Sequence, residues 1–493
     1  MKKFGVGIVC FSVAAVIAFF GVQFFLKTGI FKVPGKVVVE DGFPREIAEK
    51  ITLETGEKPL EKDVFLSKFF GSSLRASLNE ITEAEGEFSI IFLKDVFVPT
   101  ADFYETRNSV SEAELQAMLE SGSGDVISIS KLDEARKLLA VDGVYYLDSF
   151  EAGAKFEYLK VSGKNEEDVK RMAEAIKPEL ADFPTKEAVL TFAQTGVTAL
   201  SRRMNTKLWS VGSGAYFAEN IGDYLSGFDI THTSNESSFS DYATGANICS
   251  DWGFVETLTR IGLDVVELTG NHNVDCGDVA ATATIEKYAE LGIKPVGGGR
   301  SASEAAEPLK IDEKGTKIVF LAYNQSTGGA TYDETPGANQ YYEEDARNRI
   351  HEAKEEGAFV IVDMQYYECN EYDYTWENTY CDHANSSAGD QIGLFRSLID
   401  MGADVVVGTS AHQTQTFERY GDGEIYYGLG NLFFDQSWWP GTTRSLGLVH
   451  YFWNGNLLQT KRFGTVYDDS YQTRLMSEEE ETWFINRLNE ARP

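Results

Sequence analysis

Residues Ala403–Gln436 read ADVVVGTSAHQTQTFERYGDGEIYYGLGNLFFDQ. Two short apolar runs rich in β-branched and aromatic residues each break into glycine and polar side chains. That is how a buried strand looks where it meets a loop. The first run delivers His412 behind Gly408, and the second delivers Asn431 and Asp435 behind a glycine pair. The same grammar recurs upstream in GFDITHTSN, LDVVELTGN, TKIVFLAYN and AFVIVDMQYY, with helical stretches between them. Strands alternating with helices predict an α/β sheet whose strand ends share one edge, which is where such sheets bind ligands.

Working outward, the sharpest polar cluster is VVELTGNHNVDCG, Val265–Gly277. A strand-end Gly270 lets the chain turn and presents Asn271 and His272 at the sheet edge. An amide oxygen ligates hard cations, and a histidine ligates or moves protons; an Asx-type turn with a surface histidine is the plain alternative. Asn235 and Glu236 close the preceding strand, an amide beside a carboxylate that suits Mg²⁺, Mn²⁺ or Zn²⁺ or caps a loop. Gln365 and Glu368 follow a later strand beside aromatic residues. His351, His383 and His450 have no such strand-end setting and are expected away from any shared crevice.

In order and spacing these segments resemble the CapA family of capsule and poly-γ-glutamate biosynthesis proteins. The resemblance rests on an Asn-Glu after an early strand, an Asn-His-x-x-Asp-x-Gly loop, a Gly-x-x-x-His loop and a closing LGN-F, over residues 191 to 465. It implies a calcineurin-like metallophosphatase, a four-layer αββα sandwich, acting outside the cell on a phosphate or amide bond of an envelope polymer or its precursor. A non-catalytic binding or scaffold protein in a polymer synthesis or export complex is the other reading. The resemblance implies His272 as general acid/base, with Glu236, Asn271, Gln365 and His412 holding a divalent metal (Mn, Mg or Zn). Thr198, Arg202, Asn235, Glu368 and Asn431 would then contact substrate. Three positions depart from the family's pattern. Val197 and Thr198 stand where it has Gly-Asp, Gln365 where it has His, and Ser410 where it has the first His of His-x-His. Neutral oxygens replace stronger ligands, and Arg202 or Arg203 beside Thr198 would bind an anion in place of one metal.

The rest of the chain supplies context. Phe4–Leu26 is an almost unbroken apolar run behind Lys2 and Lys3. At about 23 residues it is long enough to cross a bilayer and reads as a single-pass anchor with the bulk of the chain outside. Cys10 lies within it and lacks a lipobox. The expected domains are 1–36 anchor and linker, 37–190 a smaller α/β domain, 191–470 the CapA-like domain, and 471–493 an acidic helix. In the smaller domain EFSIIFLKDVFV and GVYYLDSF read as strands, SEAELQAML and EEDVKRMAEAIKPEL as helices. Of the four cysteines beyond the anchor, Cys369 and Cys381 are expected to pair across a short loop, and Cys249 and Cys276 to form a second bridge. A net charge of -33 excludes nucleic acid as a partner.

Overall fold

The computed structural model describes residues 88–89, 92–150 except 122, 130, 131 and 134, 155–159, 162–163, 184–366 except 326–327, 369–372, and 390–493. The expected anchor, the helix EEDVKRMAEAIKPEL, Glu368, Cys381 and His383 lie outside the described residues. Among the described residues no helix is long and apolar enough to cross a membrane. The chain divides into two compact units. In the first, strand Phe92–Asp102 pairs antiparallel with Val126–Ser128 and Lys155–Leu159, and Glu112–Ser121 is a helix. The predicted strand GVYYLDSF is instead a turn at Gly143 (φ 79°) followed by a one-turn helix, Tyr146–Ser149. Its aromatic residues suggested a strand, yet Tyr146 and Leu147 are buried from the helix. The second unit takes in Ala101–Asn108, Asp133–Leu138 and Thr185–Pro493. It therefore includes both the expected 191–470 segment and the C-terminal helix.

Two mixed sheets build the second unit. The first contains β1 (Leu190–Thr198), β2 (Ile230–Asn235), β3 (Val265–Glu267) and β4 (Lys294–Val296). The second contains β5 (Leu309–Glu313), β6 (Thr316–Asn324), β7 (Phe359–Gln365), β8 (Val405–Thr409), β9 (Phe417–Tyr420) and β10 (Gly423–Tyr426). The chain then returns to the first sheet with β11 (Asn431–Phe433), β12 (Arg444–Trp453), β13 (Asn456–Val466) and β14 (Arg474–Leu475). The first sheet runs β4-β3-β2-β1-β12-β13-β14, with β11 also on β1, and the second β5-β6-β7-β8-β10-β9. Strands β1 to β4 are mutually parallel, as are β6, β7, β8 and β10, so each group ends on one edge. All six apolar runs picked out from the sequence are strands or strand pairs here.

Alternation along the strands decides the layers. Phe192, Ile230, Val265 and Leu448 of one sheet share a core with Phe320, Ile361, Val405 and Val407 of the other. The rings of Phe192 and Phe320 meet edge-on at 5.7 Å. The intervening residues of the second sheet, Val360, Val362, Met364 and Val406, pack instead on helices α4 (Glu343–Glu355) and α5 (Gln391–Asp400). The outer face of the first sheet carries Asn235, which meets Tyr288 of α3 (Asp278–Leu291). The C-terminal helix α6 (Glu478–Glu490) starts in a Ser477–Glu480 capping box and sends Phe484, Ile485 and Leu488 into the inter-sheet core. Helices α1 (Arg203–Val211) and α2 (Val255–Arg260) follow β1 and β2. Of the expected disulfides, Cys249–Cys276 is formed, joining segments 27 residues apart. Cys369 is also disulfide-bonded.

The inter-sheet core is not wholly apolar. His232 of β2 places Nε2 3.1 Å from Oδ2 of Asp363 on β7, both fully buried. Gln194 of β1 donates to the other Asp363 oxygen at 2.7 Å. Glu267 of β3 is buried beside them and accepts from the Thr269 N–H. Burial first, and the Asp363 carboxylate second, push Glu267 up to about 7. Burial also raises Asp363, opposed by His232. Burial and His232 together hold His450 of β12 down at about 3, so it is neutral. Two expectations follow. Asp363→Ala strands His232 and Gln194 in a dry core, and equilibrium urea unfolding should show a loss of about 3–5 kcal/mol, whereas the double change H232L/D363L should recover most of it. A single-variant loss below about 1 kcal/mol would contradict the pairing. Glu267, raised above its ordinary 4.5, holds in the folded state a proton that the unfolded chain has released. Native stability should therefore fall as pH rises from 4.5 to about 7 and stay lowered above it. Glu267→Gln should remove that decline, gaining on the order of 3 kcal/mol on wild type by pH 7; parallel stability-against-pH curves would refute it.

Candidate functional site

The closing LGN motif sets the geometry. Gly430 turns at φ 77°, and its carbonyl comes so close to β1 that a Cβ on Gly196 would lie 2.1 Å from it. Only glycine at 196 admits that approach. Val197 N–H donates to Gly430 O at 2.8 Å, and Asn431 sits in register with Val197. Asn431 Oδ1 then faces His412 Nδ1 at 2.8 Å, while its amide nitrogen donates to Thr442 O. The His412 ring packs on Phe434 at 4.7 Å.

One residue further along β1, the Thr198 carbonyl accepts from Glu236 N–H at 2.9 Å, and its hydroxyl meets that of Thr233. The Glu236 side chain is buried directly under Gly270, where a Cβ would stand 2.8 Å from Glu236 Cγ. Asn271 follows, and Gln365 Nε2 reaches across from the second sheet to its Oδ1 at 3.1 Å. Gln365 Oε1 accepts in turn from Thr409 at 3.2 Å, three residues before His412. A glycine with φ 75°, Gly329, lies over Asn271, its Cβ position 2.9 Å from Asn271 Cα. Contacts and chain connections thus link, in a ring, His412, Asn431, the end of β1, Glu236, Gly270–Asn271, Gln365 and Thr409. Strand ends of two sheets meet in it.

Three expected residues do otherwise. Asn235 turns to the outer face, donating to Ser237 O and Tyr288 Oη, both at 2.8 Å. It follows Ser234 on an alternating strand whose Ile230 and His232 face inward, and parity decides its direction. Arg202 is occupied: its guanidinium pairs with buried Asp435, Nε at 3.1 Å, and lies 4.5 Å over the Phe434 ring. His272 directs Nδ1 at Asp275 Oδ2 at 2.7 Å and stays one-third exposed. Among the described residues no hydrogen bond ties it to the ring. His351 is exposed on α4 beside Glu355, and His450 is buried between the sheets.

A metal fits this donor set poorly. Apart from Glu236 and His412 the ring offers only neutral amides and hydroxyls, too little charge to hold a divalent ion strongly. Among the described residues no three His, Cys, Asp or Glu side chains are grouped to hold an ion. The buried His232, Asp363, Gln194 and Glu267 escaped the sequence reading. Period-two spacing was the available signal. His232 shares its strand face with Glu236, and Asp363 shares its face with Gln365.

Residues 191–436 match the family described as bacterial capsule synthesis protein PGA_cap. The "Capsule biosynthesis protein CapA" of Bacillus anthracis is 27% identical over 208 residues, 41% of this chain and 47% of its own length. The "PGA biosynthesis protein CapA" of Bacillus subtilis (strain 168) is 30% identical over 200 residues, 40% of this chain and 49% of its own. The chain therefore spans about half the length of the curated relatives it matches. The crystal structure of TT1561 of Thermus thermophilus aligns with 54% of this chain and 99% of its own at 11% identity, but a TM-score of 0.30 is too loose to bear on fold or function. Every residue of the strand-end ring lies within the matched segment, and through it this chain belongs to the bacterial capsule synthesis protein PGA_cap family.

Proposed function

We propose that this chain acts in the biosynthesis of capsule, poly-γ-glutamate or another bacterial surface polymer, as a polymer-binding protein anchored in the membrane by Phe4–Leu26 with its bulk outside. Its family supports the polymer role. The helix–sheet–sheet–helix layering supports a metallophosphatase-like reading of the fold. The observation that carries binding over metal-assisted cleavage is the Gln365–Asn271–Thr409 network. The Asn271 oxygen accepts from the Gln365 amide and the Gln365 oxygen from the Thr409 hydroxyl, and Glu236 is the one carboxylate of the ring. Such a rim grips a ligand by hydrogen bonds and has little with which to polarise a scissile bond. Synthesis or export proteins of the same polymer are the partners this role requires.

A hydrolase is the second reading, and one contact favours it. Asp275 orients His272 through Nδ1, which leaves Nε2 to take or give a proton, the arrangement general acid–base work requires. Removing the chain from its source bacterium should strip the cell of one surface polymer, with the wild-type chain restoring it; an unchanged envelope ends the polymer reading. His272→Ala separates the alternatives in the same assay. Binding alone leaves polymer output within about twofold, whereas general acid–base catalysis lowers turnover by about 10²-fold or more.

A further inference from the structure

One layer beneath the strand-end ring, oxygen atoms gather between the sheets without donors to answer them. Glu267 closes β3 on its inner face, in register with Ser234 of β2, and Thr269 follows two residues later. All three are fully buried. One Glu267 oxygen accepts from the Thr269 N–H. The other, Oε2, makes no hydrogen bond, and neither do Ser234 Oγ and Thr269 Oγ1. Both hydroxyls lie near enough to Glu267 to oppose the effect of burial on it, yet neither completes a bond to it. From the facing sheet, buried Asn324 of β6 donates to the Thr269 carbonyl at 2.7 Å and the Gly328 carbonyl at 2.9 Å, which leaves its Oδ1 over. Four such oxygens at one strand end suit an electropositive guest.

Charge selects the guest. Asp363, the acid that acts on Glu267, is already answered by His232 at 3.1 Å and by the Gln194 amide. Among the described residues Glu267 has no lysine, arginine or histidine of its own. One carboxylate among neutral oxygens balances a single positive charge, whereas a divalent ion would carry an excess charge into a dry core. A donor set made only of oxygen suits a hard cation. The layer is separate from the ring, and neither Glu236, Asn271, Gln365 nor His412 belongs to it.

We infer that Glu267, Ser234 and Thr269, completed by Asn324 from the facing sheet, form a buried site for a monovalent alkali cation. Thr269 leads directly to Gly270 and Asn271, so the ion ties β6 to the end of β3 beneath the Gln365–Asn271 hydrogen bond. Ion and proton compete for the same carboxyl, which burial raises to about 7. The titratable groups around it are Asp363 on β7 and His232 on β2, with His450 on β12 held neutral next to His232.

Urea unfolding of the full chain at pH 8, with sodium or potassium chloride exchanged for choline chloride at constant ionic strength, tests it. Tryptophan fluorescence reports on the right unit, since all seven tryptophans lie in the second. Sodium or potassium should raise the midpoint in a saturable way that choline does not. Apparent affinity should fall roughly tenfold per pH unit below about 7, as protons take the carboxyl. Glu267→Gln should stay folded and lose the response, because a neutral amide needs no counter-ion. Thr269→Val keeps the shape and should weaken binding roughly tenfold. Equal midpoints in all three salts, or an undiminished response in E267Q, would overturn the site. Calcium acting at lower concentration than either alkali ion would overturn the monovalent assignment.

Discussion

Asp363 sits in the gap between two sheets, and much of the site depends on how that carboxylate is held. Water is excluded, so the charge needs partners from the facing sheet: His232 at 3.1 Å and the Gln194 amide at 2.7 Å. Both partners come from neighbouring parallel strands, β1 and β2, which fixes the second sheet's β7 opposite them. Two residues further along β7, on the same face, Gln365 arrives at the edge and can reach Asn271. A slip of one residue in β7 would turn both Asp363 and Gln365 into the helix layer, among Val360, Val362 and Met364. Register, buried pair and cross-sheet hydrogen bond are therefore one constraint seen at three depths.

The inward faces of these strands change character along their length in the same order. Ile230, then His232, then Ser234 and Glu236 run out along β2 and just past its end; Ile361, Asp363 and Gln365 do so on β7. Apolar residues at the base supply the burial that orders the sandwich. The ionisable layer above gives up some of that stability, since Glu267 and Asp363 are both pushed toward their neutral forms by burial. The neutral amides at the rim face the strand-end loops. Buried charge is weak evidence for stability. Its use here is to specify which strand lies opposite which, beneath a rim that must meet within hydrogen-bond distance.

Much of this was legible in the sequence, and the misses have definite causes. Apolar runs ending in Asn, His or Gln located the strands of both sheets, because burial on both faces leaves long β-branched stretches that helices rarely show. Asn271, Gln365, His412 and Asn431 were legible as strand-end residues for the same reason. GVYYLDSF misled because aromatic residues favour strands yet bury equally well from one helical turn. His232 and Asp363 were passed over because one polar residue inside an apolar run reads as noise until its partner on a strand more than a hundred residues away is known. Arg202 looked available because Asp435, its partner, is distant in sequence. Adjacent arginines are indistinguishable until one of them is paired.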